Sequence, residues 1–213
     1  MQINTNVQAL VAANAINLAT QQAAKASERI GSSLRINSAA DDPGSMIMIN
    51  SIKTKIASWT KANDNITSAN GMLQTMNSTL TSLSDLLAKM RALAVSSVTA
   101  SADTQAANQS TFATYMSQMD NLSSLAKWNG TSLLNSTSGG NGAAGTVVVQ
   151  TGIDSGNQLT VNLYNSLSTK LGDSGTPLSA QTLSTTTAAG NAITQIDKAI
   201  TTISSYQTTV GAT

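Results

Sequence analysis

The stretch ITSANGMLQTMNSTLTSLSDLLAKMRALA, residues 66–94, decides the fold of this chain. Its apolar residues recur every three or four positions, at Ile66, Ala69, Leu73, Met76, Leu80, Leu83, Leu87, Met90 and Ala94. This spacing places them in one stripe along a helix, and such a stripe needs apolar stripes from other helices to cover it. The stretch therefore predicts one long helix of an antiparallel bundle or coiled coil.

The same pattern extends towards the N-terminus. Ile49, Ile52, Ile56 and Trp59 keep the spacing, and one additional three-residue step shifts its phase before residue 66. A turn and helix start precede them, carried by Asn37, Ser38, Asp41, Asp42 and Pro43. Asp42 can accept hydrogen bonds from the free N–H groups of the first turn, and Pro43 suits the first helical position. A helix from there to about residue 98 would be about 80 Å long, which predicts a rod-like domain.

The rest of the chain supplies the elements that could cover the stripe. Residues 99–103 break the helix, and a second helix is expected over 103–127, returning antiparallel because the break is short. Residues 136–145 predict a flexible turn, and alternating apolar residues predict a β-hairpin at about 146–163. Residues 165–186 look irregular, and a last helix is expected from about Thr187 to 212. The fold class is mainly α, an elongated helical bundle with one small β-hairpin.

Residues 1–41 form a separate N-terminal segment in this interpretation, ahead of the rod-like domain 42–213. A helix is expected from about Thr5 through residue 40. Its weak apolar stripe consists of Val7, Leu10, Val11, Leu18, Ala26 and Ile30. Since isolated helices gain most of their stability from packing, this helix needs a partner from elsewhere. The segment has no basic start and no uninterrupted apolar run, so it predicts neither a cleaved signal peptide nor a membrane span.

Composition excludes several classes of function. The 213 residues carry 11 basic and 10 acidic side chains, a net charge of +1, and only 3% are aromatic, which argues against nucleic-acid binding. There is no histidine or cysteine, so the usual general base, thiolate and zinc ligands are missing. The acidic doublet Asp41-Asp42 is explained by helix capping, and we expect no catalytic residues, no metal and no cofactor. The low charged fraction of 10% favours a surface that packs against copies of itself.

Several sequence strings along the chain resemble bacterial flagellin. They are Ile3-Asn-Thr-Asn6, Glu28-Arg-Ile-Gly-Ser-Ser-Leu-Arg-Ile-Asn-Ser-Ala-Ala-Asp-Asp42, Lys89-Met-Arg-Ala-Leu-Ala-Val95, Trp128-Asn-Gly-Thr131, Gln150-Thr-Gly152 and Gln158 through Leu163. The second is similar to the long family signature ERLSSGLRINSAxDD, and the third to the stretch R-V-R-E-L-A-V. The resemblance is thus carried by motifs spread over most of the chain.

This resemblance implies a self-assembling filament subunit for motility, located outside the cell on the flagellum. It implies export through the flagellar type III route without a cleaved signal, with an export chaperone and cap or junction proteins as partners. It also places the first helix, with Val7, Leu10, Val11, Leu18 and Ile30, in the inner tube of the filament. Neither nucleic acid nor a membrane is expected as a partner.

Two departures from the family pattern carry further expectations. Flagellins continue into a C-terminal helix that pairs with the first helix, and the present sequence lacks it. We therefore expect a shortened or proteolysed form, a partial sequence or an unusual short member, which does not form normal filaments alone. The segment between the hairpin and the last helix is also too short to contain the variable outer domains of large flagellins. We therefore expect a minimal flagellin with a smooth outer surface.

The resemblance further implies a docking patch for the vertebrate Toll-like flagellin receptor. The matching residues are Lys89, Met90, Arg91, Ala92, Leu93, Ala94 and Val95. Ala92 stands where the family motif has an acidic residue, so we expect weak activation, with Lys89 and Arg91 still presenting a basic patch. An equally good interpretation is that Arg91 is a solvated helix charge and Leu93 a packing residue.

Two alternative functions stay open at this stage. A hook–filament junction protein shares the Asp41-Asp42-Pro43 element, although the Trp128–Thr131 string and the hairpin favour flagellin. A helical secreted effector or adhesin that does not polymerise is the alternative from another class, and concentration-dependent filaments would distinguish the two.

Overall fold

The computed structural model describes residues 6–135, 145–173 and 175–213. The chain divides into two units, Met1–Ser58 and Trp59–Thr213, which are described separately. The predicted flexible turn at 136–145 falls outside the described residues except for Gly145, and the string Ile3-Asn-Thr-Asn6 falls outside them except for Asn6.

The first unit contains helix α1, Val7–Ser32, and the beginning of helix α2, Pro43–Val98. Asn6 caps α1, because its side-chain oxygen accepts a hydrogen bond from the N–H of Ala9 at 3.2 Å. Ser33 ends the helix in the left-handed conformation, with φ 56°. The predicted start of α1 is confirmed within two residues, whereas its predicted extension to residue 40 is wrong. Residues 33–42, named the elbow below, instead turn the chain into α2.

The second unit is a helical bundle built on the remainder of α2. Helix α3, Ala102–Leu125, turns back after the break, since the Gln105 side chain donates to the Ser97 carbonyl at 2.9 Å. Helix α4, Thr186–Ala212, runs antiparallel to α2, because Asp197 contacts Arg91 while Gln207 contacts Thr81. The predicted helices are thereby confirmed within one or two residues.

The apolar stripe of residues 66–94 forms the centre of this bundle. Its fully buried members on α2 are Met76, Leu80, Leu83, Leu87, Met90 and Ala94. Phe112 and Met119 of α3 and Ile196 and Ile203 of α4 belong to the same cluster. Alanines 189, 192 and 199 of α4 are also inaccessible to solvent. Their small side chains leave room for the large side chains of α2, as expected for a close-packed core.

Antiparallel strand pairs complete the second unit. The predicted hairpin is confirmed: β3, Thr146–Gln150, pairs with β4, Gln158–Asn162, with Val147 opposite Val161. Among the described residues, two pairs of two-residue strands were not predicted. They are β1, Lys127–Trp128, with β2, Thr131–Ser132, and β5, Gly172–Asp173, with β6, Thr176–Pro177.

The expectation of an irregular segment over residues 165–186 is therefore wrong in part. Leu171, Leu178 and Leu183 are buried in the bundle core, and a single turn of 3₁₀ helix spans Leu178–Ala180. Strands of two residues are too short to show the period of two on which a sequence pattern depends. The position of β5 is fixed by a distant contact, in which the Asp173 N–H donates to the Gln195 side chain of α4 at 2.9 Å.

Candidate assembly surfaces

The elbow is fixed by the two adjacent carboxylates. Asp41 accepts hydrogen bonds from the backbone N–H groups of Asn37 and Ser38, both at 3.3 Å, and from the Ser38 hydroxyl. Its other oxygen lies 3.5 Å from the Arg29 guanidinium of α1. These contacts, led by the backbone hydrogen bond from Asn37, hold the pKa of Asp41 below its ordinary value.

Asp42 performs the capping role predicted from the sequence. It accepts from the backbone N–H of Ser45 at 3.0 Å and from the Ser45 hydroxyl at 2.6 Å, directly before Pro43 opens α2. These hydrogen bonds lower the pKa of Asp42, and the bond from the Ser45 hydroxyl has the largest effect. Asn37 adds a second link, since its side chain donates to the Glu28 carbonyl and the Ser32 hydroxyl at the end of α1. Both carboxylates are thus engaged in local structure.

Helix α1 presents its apolar residues to solvent. None of its residues is buried, and Val7, Leu10, Val11 and Leu18 are each 58–66% exposed. Because an α-helix turns by about 100° per residue, these four residues share one face of α1. Ile30, which is 79% exposed, lies on a different face. We name the four residues the α1 stripe. A 26-residue helix that buries nothing is marginal in water, so the stripe is a surface suited to covering by another chain segment.

The first part of α2 continues this exposed apolar character. Ile47, Met48, Ile52 and Ile56 are 44–73% exposed, and Trp59 in the second unit is 55% exposed. Ile52 and Ile56 keep the spacing of the stripe of residues 66–94, but both side chains are exposed. Periodicity identifies a face of a helix, not its partner.

The segment Lys89–Val95 is divided between the core and the surface. Met90 and Ala94 are inaccessible to solvent and Leu93 packs against the core, while Lys89, Ala92 and Val95 are exposed. Arg91 is not an unpaired basic residue, although its side chain is 46% exposed. Its Nε donates to Asp197 Oδ1 at 2.6 Å and its Nη2 to Oδ2 at 3.3 Å, a pairing that raises the pKa of Arg91.

A groove of about 360 Å³ lies between α2 and two of the hairpins in the second unit. We name it the Trp128 groove; its lining includes Ala69 and Met72 of α2, Trp128 of β1 and Val147–Gln150 of β3. The Asn65 side chain donates to the Gln150 carbonyl at 3.1 Å and pins β3 to the helix. The indole of Trp128 lies against Gly71, where an added Cβ would come within 2.8 Å of the ring. No local sequence pattern predicts this contact, because Gly71 and Trp128 lie far apart in the chain.

Two further observations concern the residues that the structure describes. Among them there is no group of three or more histidine, cysteine, aspartate or glutamate side chains placed to hold a metal ion. No helix in this part of the chain is long and apolar enough to cross a membrane.

Comparison with known proteins decides the family. The sequence family described as the bacterial flagellin N-terminal helical region matches residues 3–139, more than half of the chain. This chain belongs to the bacterial flagellin family. Flagellin from Listeria monocytogenes is 29% identical over 167 residues, which cover 78% of this chain and 58% of that protein. Flagellin from Halalkalibacterium halodurans is 28% identical over 214 residues, covering the whole of this chain and 75% of the relative. The chain thus spans little more than half the length of the Listeria flagellin.

Solved structures agree on the fold. The crystal structure of Bacillus cereus flagellin matches with a TM-score of 0.60 at 24% identity, covering 71% of this chain and 82% of that one. A protein from Vibrio parahaemolyticus described as flagellar hook-associated matches with a TM-score of 0.67 at 15% identity, covering 82% and 88%. At these identities the likeness concerns the fold alone, and the flagellin family shares it with a hook-associated protein.

Proposed function

We propose that this chain is a structural subunit of a bacterial flagellar filament that assembles with copies of itself and has no catalytic role. The observation that carries the proposal is the α1 stripe, an apolar surface on a helix that buries none of its residues. Membership of the flagellin family supports the same function. A surface with few charged residues adds to it, because charge is depleted from the cores of interfaces.

Location and partners follow from the proposal. The subunit would be exported without a cleaved signal, assemble outside the cell, and use an export chaperone and cap or junction proteins on the way. Sequencing the N-terminus of the secreted protein tests the export route. We expect Met1 or Gln2 at the N-terminus, and secretion that depends on the flagellar export apparatus.

Immunogold labelling of the source bacterium tests the function itself. An antibody against the β3–β4 hairpin should decorate filaments along their length. Gold confined to the base of each filament would instead favour a hook–filament junction protein. This is the second candidate function, because the fold is similar to that of the Vibrio hook-associated protein. Gold absent from flagella, with the protein in the medium, would favour a secreted effector or adhesin and contradict the proposal.

A matched pair of variants tests the role of the α1 stripe. Leu18→Asp places a charge on the stripe, and Thr20→Asp places the same charge about 200° away around the same helix. We expect the first variant to be secreted but to enter filaments far less than the unchanged chain does, and the second to enter them as well as the unchanged chain. Equal incorporation of both variants would remove the α1 stripe from the proposal.

A further inference from the structure

The sequence contains three Asn-Gly dipeptides, at residues 70–71, 129–130 and 141–142. Asparagine followed by glycine is the pair in which the next backbone nitrogen most easily reaches the side-chain amide, because glycine has no side chain to obstruct it. We propose that Asn129 is a site of spontaneous deamidation in the folded protein. Asn70 serves as an internal comparison, and the dipeptide 141–142 lies outside the described residues.

The reaction needs no reagent other than water. The backbone nitrogen of Gly130 attacks Cγ of Asn129, and a new C–N bond closes a five-membered succinimide. The bond between Cγ and Nδ2 breaks, and ammonia leaves with the proton that Gly130 nitrogen loses. Water then opens the succinimide at either carbonyl, which yields aspartate or isoaspartate at position 129.

The structure leaves Asn129 accessible to this reaction. Asn129 and Gly130 form the two-residue turn between β1 and β2, with φ of 48° and 81°, and Asn129 is exposed. In such a turn the hydrogen bond between the strands is made by the two flanking residues, here Trp128 and Thr131. The strand pairing therefore does not use the Gly130 N–H. Apart from Gly130 and the residues on either side of it, no residue has an atom within 4 Å of the position a Gly130 Cβ would occupy, so no distant part of the chain crowds this turn.

The surroundings of Asn70 oppose the same reaction. Asn70 and Gly71 lie in the interior of α2, where the Gly71 N–H donates along the helix to the carbonyl four residues earlier. The Trp128 indole also packs against Gly71, within 2.8 Å of where a Cβ would stand. A succinimide at residue 70 would require the helix to open locally, whereas one at residue 129 requires only movement within an exposed turn.

Modification of Asn129 would alter the Trp128 groove. Isoaspartate adds one carbon to the backbone inside a two-residue turn, which disrupts the pairing of Trp128 with Thr131. It also adds a negative charge beside β1, and this cancels the net charge of +1. Because Trp128 covers Gly71 and lines the groove, the loss of pairing frees the indole from this position.

Peptide mapping of the intact, folded protein tests the proposal. The protein is kept in mildly alkaline buffer, digested, and read by tandem mass spectrometry for conversion of amide to acid at positions 129 and 70 in the same sample. We expect Asn129 to convert at least about tenfold faster than Asn70, because intramolecular reactions depend steeply on the access of the reacting groups. Equal rates at the two positions, or conversion at residue 129 only after urea unfolding, would overturn the proposal.

The variant Asn129→Gln provides a second arm. Its longer side chain must close a six-membered ring, so we expect position 129 to retain its amide under the same conditions, with circular dichroism used to check the fold. Loss of the amide at the same rate as in the unmodified chain would contradict the succinimide route. The comparison with Asn70 in the unmodified chain holds whether or not this variant folds.

Discussion

Gly71 is a residue at which two ordinary effects oppose each other. In a helix interior alanine is more favourable than glycine by about 1 kcal/mol. At this position, however, a Cβ would come within 2.8 Å of the Trp128 indole. We therefore expect Gly71→Ala to bring little or no gain in the unmodified chain, but to stabilise a Trp128→Ala background by up to about 1 kcal/mol. Urea unfolding of the four proteins of this cycle measures the coupling, and additive effects would show that the contact carries no energy.

Ala92 tests the receptor patch implied by the flagellin motif. Ala92 and Lys89 are exposed, and Arg91 is held by Asp197, so an acidic residue at position 92 would supply the charge that the patch lacks. We expect Ala92→Glu to increase activation of the Toll-like flagellin receptor by about thirtyfold, which corresponds to about 2 kcal/mol. A reporter-cell titration measures it, with both folds checked by circular dichroism. Equal potency of the two proteins would show that Ala92 does not limit recognition.

The contact of Arg91 with Asp197 shows what sequence patterns miss at the scale of single residues. The two lie 106 positions apart in the chain, and no local pattern relates them. Asp42 and Pro43 could be assigned from the sequence because capping acts between residues three apart. Local chemistry is visible in a sequence, whereas the partner of a side chain depends on how distant elements come together.

The elbow between α1 and α2 is the element whose order should depend on pH. The pKa of Asp41 is lowered from 3.8 by hydrogen bonds from Asn37 and Ser38 and by Arg29. A carboxyl with a lowered folded pKa contributes its stability above the unfolded pKa and loses it as pH falls through the folded value. We expect the Asn37 and Ser38 amides to remain ordered at neutral pH and to lose their hydrogen bonds only as the pH falls through the lowered pKa of Asp41. Amide chemical shifts followed by NMR during an acid titration measure this.

Asp41→Asn is the control for that titration. Its amide oxygen can still accept hydrogen bonds but does not titrate, so the Asn37 and Ser38 shifts should lose their acid transition. An unchanged transition in this variant would assign it to another carboxyl group.

Helix α2 offers a comparison of burial within one element. Met76 is 0% exposed in the bundle core, and Met48 on the same helix is 65% exposed. We expect Met76→Ala to lower the free energy of unfolding by about 2–5 kcal/mol, and Met48→Ala to change it by less than about 0.5 kcal/mol. Thermal and urea unfolding measure both. A similar loss for the two variants would mean that Met48 is covered in solution.

How far the elements could be predicted depended on their length. The long stripe of α2 repeats its period many times, so the helix and its buried face were both predictable. The strand pairs β1–β2 and β5–β6 have two residues per strand and show no period, so they were missed. Ile52 and Ile56 keep the helical spacing yet remain exposed, because a period does not specify what covers it.

At the scale of the whole molecule, burial is concentrated in one of the two units. Among the described residues, every buried apolar side chain lies between Ala62 and Val210, in the unit Trp59–Thr213. In the unit Met1–Ser58, the described residues are held by the elbow and by helical hydrogen bonds. Regions with few buried contacts open locally at low free energy, and such opening exposes the backbone to proteases.

Limited proteolysis measures this difference. Trypsin should first cut after Lys25, Arg29, Arg35, Lys53 and Lys55, all in the unit Met1–Ser58. We expect a fragment beginning at residue 56 and ending at Thr213 to persist, because it contains the whole described core, and to keep the melting temperature of the intact chain. Cutting after Lys89 or Arg91 at the same rate would show that the bundle opens as readily as α1. A much lower melting temperature of the fragment would show that the first unit contributes to the stability of the core.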